Sequence, residues 1–182
     1  MERGKTLDNK RLIMLVEMAM GIAIAIVLSQ FRLFRMPQGG SVTLMAIPLL
    51  VIAFRWGGKA GFLTGVGTGV IRLFLGAYVI HWAQFILDYP LAFALLGSAG
   101  FMTRQYYLGT TVGFSLRFLC HFIVGATFFA SFAPEGTPVA LYSLIYNGTY
   151  IIPEWILALL IAPWLYRRLE TAIPSKRQRD GH

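Results

Sequence analysis

Five charged side chains lie inside long apolar stretches of this 182-residue sequence: Glu17, Arg72, Asp88, Arg117 and Glu154. A charge within a bilayer-spanning stretch is expensive, so each needs a partner, a route to water or a task. Glu17 is one turn in from the start of its stretch and Arg72 is near the end of its own, so both can snorkel. Glu154 follows Pro153, where it can satisfy a kink or an internal partner. Asp88 is different: it lies deep in its stretch, beside Tyr89 and just before Pro90. A proline leaves a backbone carbonyl free one turn upstream, which makes that segment locally polar. A carboxylate there needs either Arg117, in a structural ion pair, or a bound cation.

Arg117 and His121 are spaced i and i+4, so they share one helix face. Gly125 and Phe129 continue that face and Phe128 borders it. The stripe reads either as a recess beside an aromatic wall or as plain helix packing. Further on come Tyr142, Tyr146 and Asn147. Tyrosines at that depth also suit an interfacial belt, but the Asn147 amide must find partners in an apolar span. Tyr78, Asp88, Tyr89, His121, Phe129, Tyr142 and Asn147 all fall toward the same half of their stretches. An acid, a histidine, an asparagine and several aromatics converging there suggest a pocket for a small, planar, partly cationic ligand. A desolvated cation–π contact contributes about 2 kcal/mol, and stacking of a heteroaromatic ring roughly 1–3 kcal/mol.

Other chemistry is missing from the sequence. It has no Gly-x-x-x-x-Gly-Lys-Ser/Thr loop for ATP, no Gly-x-Ser-x-Gly elbow and no His-Glu-x-x-His zinc motif. Cys120 is the one cysteine, so neither an intramolecular disulfide nor a cysteine metal cluster is available, and it reads as a small packing residue. No enzyme activity, cofactor or metal is expected.

The elements that must position these residues are membrane helices. The chain is 57% hydrophobic and 13% charged, where a soluble domain carries roughly 25% charged residues. Six apolar runs follow one another: 12–31, 42–54, 60–77, 81–102, 107–132 and 139–166. The second is short and contains Pro48, which suggests a tilted, kinked or only partly crossing helix. The third is rich in glycine, which permits close helix approach in lipid. The net charge of +8 reflects basic residues at the ends of these runs rather than a nucleic-acid stripe. With the amino terminus inside, the inner segments carry Arg3, Lys5, Lys10, Arg11, Arg55, Lys59, Arg104 and the basic carboxy-terminal residues, and the outer segments only Arg32 and Arg35. The expectation is an all-α, multi-pass cell-membrane protein of six transmembrane helices with both termini cytoplasmic. It is a single domain over 1–182, with tails at 1–10 and 170–182.

Several stretches together resemble a known family: Met36-Pro-Gln-Gly-Gly-Ser-Val-Thr-Leu-Met-Ala-Ile-Pro48, Gln84-Phe-Ile-Leu-Asp-Tyr89, His121-Phe-Ile-Val-Gly125, Phe128-Phe-Ala-Ser-Phe-Ala-Pro-Glu-Gly-Thr-Pro138 and Tyr142-Ser-Leu-Ile-Tyr-Asn-Gly148. The chain is similar over nearly its whole length to the thiamine-specific S-components of energy-coupling factor transporters. The resemblance implies a six-helix fold with a vitamin site near the outer face and a lid between helices one and two, here Arg32 to Ser41. It places the family's pocket acid on Asp88, its tyrosines on Tyr78, Tyr89 and Tyr142, its histidine on His121 with Gly125 one turn on, and its asparagine on Asn147. Three positions depart from some members. Asp88 stands where the acid can be Glu, Phe129 where a tryptophan stacks on the ligand, and Gln38-Gly39-Gly40 where the lid has a tryptophan. Trp82 is a candidate to replace the lost aromatic surface.

The resemblance also implies partners: thiamine as ligand, a transmembrane coupling subunit docked on small residues of helix one, here Ala19 and Ala23, and two separate ATPase subunits. No dedicated phosphate cradle is visible. Three other readings remain at this stage: an S-component for a related heterocycle such as a thiamine pyrimidine precursor, a stand-alone transporter using Asp88 and His121 as a proton relay, and a membrane scaffold with no ligand.

Overall fold

Ala46–Trp56 is apolar on every face except for Arg55 in its last turn, so the helix has to be buried nearly all round. In a computed structural model, which describes residues 2–37, 39–76, 79–102 and 104–173, this helix is the core of the bundle. Numbered in chain order, the described residues form six helices. These are α1 (Glu2–Gln30), α2 (Ala46–Trp56), α3 (Gly58–Phe74), the composite α4 (Trp82–Phe101), α5 (Tyr106–Phe128) and α6 (Val139–Ala172). Residues Ala46 through Arg55 of α2 are all buried. Leu49, Leu50 and Phe54 pack there with Phe93, Leu96 and Phe114. Pro48 lies in the first turn, where an amide hydrogen would have no intrahelical partner anyway, so it breaks no hydrogen bond of the helix. α2 is short because it is an inner helix, turned into α3 by Gly57 at φ +90°.

α1, α4, α5 and α6 each have the length and apolar composition to cross a bilayer. Their outward side chains are apolar: Leu12, Trp82, Leu119 and Leu160 are 61%, 72%, 49% and 68% exposed, as suits a lipid-facing surface. α1 continues back to Glu2, through the residues expected as an amino-terminal tail. Residues 174–182 of the expected carboxy-terminal tail lie outside the described residues.

Glycines set how close α3 comes to α4. A Cβ on Gly65 would collide with the Phe93 carbonyl, and one on Gly69 would sit 2.5 Å from the Tyr89 carbonyl. Gly97 of α4 meets the backbone of Gly61 and Phe62 in return. Backbone-to-backbone contact of this kind holds α4 in register. α4 itself is not uniform: α-helical turns at Trp82–Ile86 and Ala92–Leu96 flank a π-helical turn at Leu87–Leu91, and a 3-10 turn, Gly97–Phe101, ends it. The π turn contains Asp88, Tyr89 and Pro90. Pro90 cannot donate to the helix ladder, and the wider turn absorbs that loss where an ordinary helix would break.

Between α1 and α2 the chain forms a small antiparallel hairpin, Phe34–Arg35 with Ser41–Val42. Gly39 and Gly40 turn it at φ +106° and +66°. At the opposite end of the bundle, Arg55 is 4% exposed and binds three helices together. Its Nε and Nη2 donate to the two Glu17 oxygens at 2.6 and 3.0 Å, and its Nη1 to Glu170 at 2.7 Å and the Ile173 carbonyl at 2.8 Å. Trp56 Nε1 adds a bond to Glu17 at 2.7 Å. The sequence reading placed Arg55 in a solvated connection and let Glu17 snorkel. The buried network replaces both expectations, because a guanidinium with two carboxylates is satisfied without water.

Candidate functional site

α5 and α6 come together through Gly125. A Cβ there would strike the Ser143 hydroxyl and lie 3.3 Å from Asn147 Nδ2. Close approach lets Ser143 Oγ donate to the Phe122 carbonyl at 2.8 Å. It also lets Asn147 Nδ2 donate to the Ser143 carbonyl at 2.9 Å and to the His121 carbonyl at 3.2 Å. Asn147 Oδ1 accepts from Tyr150 at 2.7 Å. The partners that the asparagine amide required are therefore largely in the protein, with one lone pair of its oxygen left over. Asn147 holds the His121 backbone and the Tyr150 hydroxyl in place.

Arg117 is 4% exposed and does not pair with Asp88. Its Nη1 donates to Glu154 Oε2 at 2.7 Å, and its guanidinium lies 5.1 and 5.7 Å from the ring centres of Phe93 and Phe114. The other carboxylate oxygen of Glu154 accepts from the Thr43 backbone at 2.8 Å and the Thr43 hydroxyl at 2.7 Å. One buried acid thus ties α5 to the root of the hairpin. This corrects the structural pair considered for Asp88 and names the internal partner expected for Glu154.

Asp88 instead meets His121, with Oδ1 2.8 Å from Nδ1. An ionised carboxylate only accepts, so the His121 Nδ1–H donates, and a neutral ring then keeps Nε2 as an acceptor. That Nε2 is buried without a hydrogen-bond partner among the described residues. Arg117 is neutralised by Glu154, so the negative charge of Asp88 has no full counter-charge from that arginine.

These groups line one cavity of about 620 Å³ between the helices and beneath the hairpin, within the range that suits small organic ligands. Asp88, Tyr89, His121, Gly125, Phe129, Tyr142 and Asn147, singled out from the sequence, all border it. So does Gly40, whereas Gly39 does not. Tyr78 and Gln38 lie outside the described residues. Ala19 and Ala23 do not line the cavity; both are exposed on α1.

Several lining residues carried too little signal in the sequence. Tyr150 continues from Tyr142 and Tyr146 at steps of four, and the successive rings stand 6.0 Å apart. The i, i+4, i+8 spacing was the available clue. The hairpin rests on this ladder: a Cβ on Gly39 would meet Tyr146 Oη at 2.7 Å, and one on Gly40 would meet Tyr150 Cδ1 at 2.6 Å. Aromatic surface under the hairpin therefore comes from α6, against which the two glycines pack. Trp82 does not contribute, since it is absent from the cavity wall and packs beside His81, 5.5 Å between ring centres. Gln84 is a further buried wall residue; its Oε1 accepts from the Ile80 amide at 2.8 Å. Arg72, expected to snorkel, also lines the cavity. No group of three or more metal-ligating side chains occurs among the described residues.

The thiamine transporter protein family (Thia_YuaJ) matches residues 15–173. The chain is 40% identical to the thiamine transporter ThiT of Bacillus subtilis (strain 168), over 93% of this chain and 98% of that protein. It is 28% identical to the protein of the same name from Lacticaseibacillus paracasei, over 85% of this chain and 87% of the relative. A solved structure of ThiT from Listeria monocytogenes superposes with a TM-score of 0.79 at 28% identity, covering 87% of this chain and 96% of the other.

Proposed function

The chain belongs to the thiamine transporter protein family, and from that premise we propose that it captures thiamine in the cavity beneath the hairpin. It serves as the substrate-binding S-component of an energy-coupling factor importer, a multi-pass membrane protein rather than an enzyme. The observation that carries this reading is the Asp88–His121 contact at 2.8 Å beside an Arg117 already committed to Glu154. A carboxylate left negative in an aromatic-walled cavity suits a ligand that brings its own positive charge.

Thiamine supplies a thiazolium cation, a flat aminopyrimidine and a hydroxyethyl tail. Asp88 faces the cation or the pyrimidine amine. His121 offers Nε2 as an acceptor for that amine, and Tyr89 and Phe129 supply ring faces. Tyr142 and the remaining lone pair of Asn147 Oδ1 meet the pyrimidine edge, and the hairpin with Gly39 and Gly40 closes the site from outside the cell. Several such contacts reach nanomolar binding, about −12 kcal/mol.

Transport then needs an external motor, supplied by a transmembrane coupling subunit and two ATPase subunits. Ala19 and Ala23 lie exposed on α1, where small side chains permit close helix contact in lipid. Purification in mild detergent followed by mass spectrometry of the released small molecules tests the ligand directly. Thiamine is the expected mass; a different heterocycle, or none after growth with thiamine, would redirect the reading. Asp88→Asn weakens thiamine binding at least about tenfold, a loss of about 1.4 kcal/mol, measured by calorimetry. Unchanged affinity would remove Asp88 from the site.

A further inference from the structure

The hairpin between α1 and α2 has two unlike strands. On the inner strand Val42 is buried and Ser41 lines the cavity. The root is fixed by the two Thr43 bonds to Glu154, and the turn rests on Tyr146 and Tyr150 through Gly39 and Gly40. The outer strand is uncovered among the described residues. Phe31, Arg32, Leu33, Phe34 and Arg35 are five exposed residues in a row, and Phe34 is 70% exposed. Three large apolar side chains on an edge strand in open water would invite pairing with another chain. The end of α1 places them elsewhere. Its apolar part, Asn9–Gln30, has 22 residues. At 1.5 Å per residue that is about 33 Å, close to the thickness of the hydrocarbon core of a bilayer. The outer strand therefore begins where the hydrocarbon stops. Arg72 Nη1, 3.3 Å from Ser29 Oγ, sets the end of α3 at the same level, and the exposed Phe74 and Leu75 follow it there.

The backbone of an edge strand needs hydrogen-bond partners that hydrocarbon cannot give, so the strand belongs among the headgroups and no deeper. Aromatic side chains favour that layer. The charge of the segment has one sign. No acidic residue occurs between Glu17 and Asp88, and no carboxylate pairs with Arg35 among the described residues. Arg32 reaches the cavity wall, which leaves Arg35 as the outward cation. Apolar rings beside such a cation are complementary to an anionic phospholipid: acyl chains meet the rings and the phosphate meets the guanidinium. We propose that the outer strand of the hairpin is a membrane anchor, with Phe31, Leu33 and Phe34 in the outer leaflet and Arg35 on an anionic phospholipid headgroup. The inner strand of the same hairpin walls the cavity, so the anchor steadies the hairpin over the ligand and slows its escape. That consequence rests on the thiamine reading, whereas the anchor itself does not.

The test uses the full-length chain in lipid nanodiscs, made of phosphatidylcholine alone or of phosphatidylcholine with an equal part of phosphatidylglycerol. A nitroxide on Phe34→Cys, with the buried Cys120→Ala, reports depth by its collisions with oxygen and with a water-soluble nickel chelate. Oxygen is expected to dominate, at the boundary of headgroups and acyl chains; dominance of the nickel chelate would overturn the anchor. Thiamine release, followed by stopped-flow tryptophan fluorescence, is expected to be at least about threefold slower in the anionic discs, the order expected for one arginine at an anionic surface. Arg35→Gln, which does not line the cavity, should release at the same rate in both discs, and Phe34→Ser faster than wild type in both. Equal wild-type rates in the two lipids, or a lipid effect that persists in Arg35→Gln, would overturn the headgroup contact and leave the thiamine reading standing. If thiamine binds in neither lipid, that reading falls, and the depth of the nitroxide alone decides the anchor.

Discussion

At the scale of single residues, two acids have separate duties, and charge accounting tells them apart. Glu154 neutralises Arg117 and holds Thr43, whereas among the described residues Asp88 bonds to His121 alone. Removing the charge of Glu154 leaves Arg117 buried without its counter-ion. Breaking a buried pair in this way costs roughly 3–5 kcal/mol. Glu154→Gln should therefore lower the thermal midpoint in detergent markedly, and it should also weaken binding of a cation, because uncompensated positive charge remains in the cavity wall. A variant as stable as wild type would show that the pair is solvated. The sequence made the five ionisable groups conspicuous but not their pairing. Arg117 and Glu154 lie on different helices, as do Asp88 and His121, so the partners are chosen by packing. Arg55 was misread for a related reason. A basic residue at the end of an apolar run is ordinarily solvated, and only the convergence of α1 and α6 on α2 makes it a buried hub.

At the scale of elements, the position of Asp88 depends on α3 lying against α4. Gly65 and Gly67 are separated by one residue but face different neighbours. A Cβ on Gly65 strikes the rigid Phe93 backbone, whereas one on Gly67 meets the flexible Ile22 Cδ1 at 2.8 Å. Gly65→Ala should destabilise the protein by about 1–3 kcal/mol and weaken thiamine binding, as overpacking pushes α4 away. Gly67→Ala should do little to either, as thermal unfolding with and without thiamine will show. In the hairpin, Gly40 combines φ +66° with contact against Tyr150. Gly40→Ala should speed thiamine release, seen as a faster off-rate in stopped-flow tryptophan fluorescence. The helices were legible in the sequence because apolar runs of bilayer length admit few alternatives. Pro90 pointed to local irregularity, and the π turn is its form. The burial of α2 was not legible, because an apolar helix of 11 residues reads equally well as a truncated span.

At the scale of the whole molecule, the proposed function assigns binding to one end of the bundle and docking to one side of it. The apolar small-residue side of α1 faces away from the cavity, so bulk added there should separate binding from transport. Ala19→Trp and Ala23→Trp should retain thiamine binding in detergent yet abolish uptake in cells that supply the coupling and ATPase subunits. Loss of binding in both would place α1 in the folding core instead. In the proposed function, capture depends on a charge match between the vitamin and the α4–α5 wall. The most direct measurement is a calorimetric cycle: wild type and Asp88→Asn, each titrated with thiamine and with its uncharged aminopyrimidine half. If the carboxylate recognises the cation, the preference for thiamine over the neutral fragment falls at least about tenfold in Asp88→Asn. The same preference in both proteins would mean that the positive charge is recognised elsewhere or not at all.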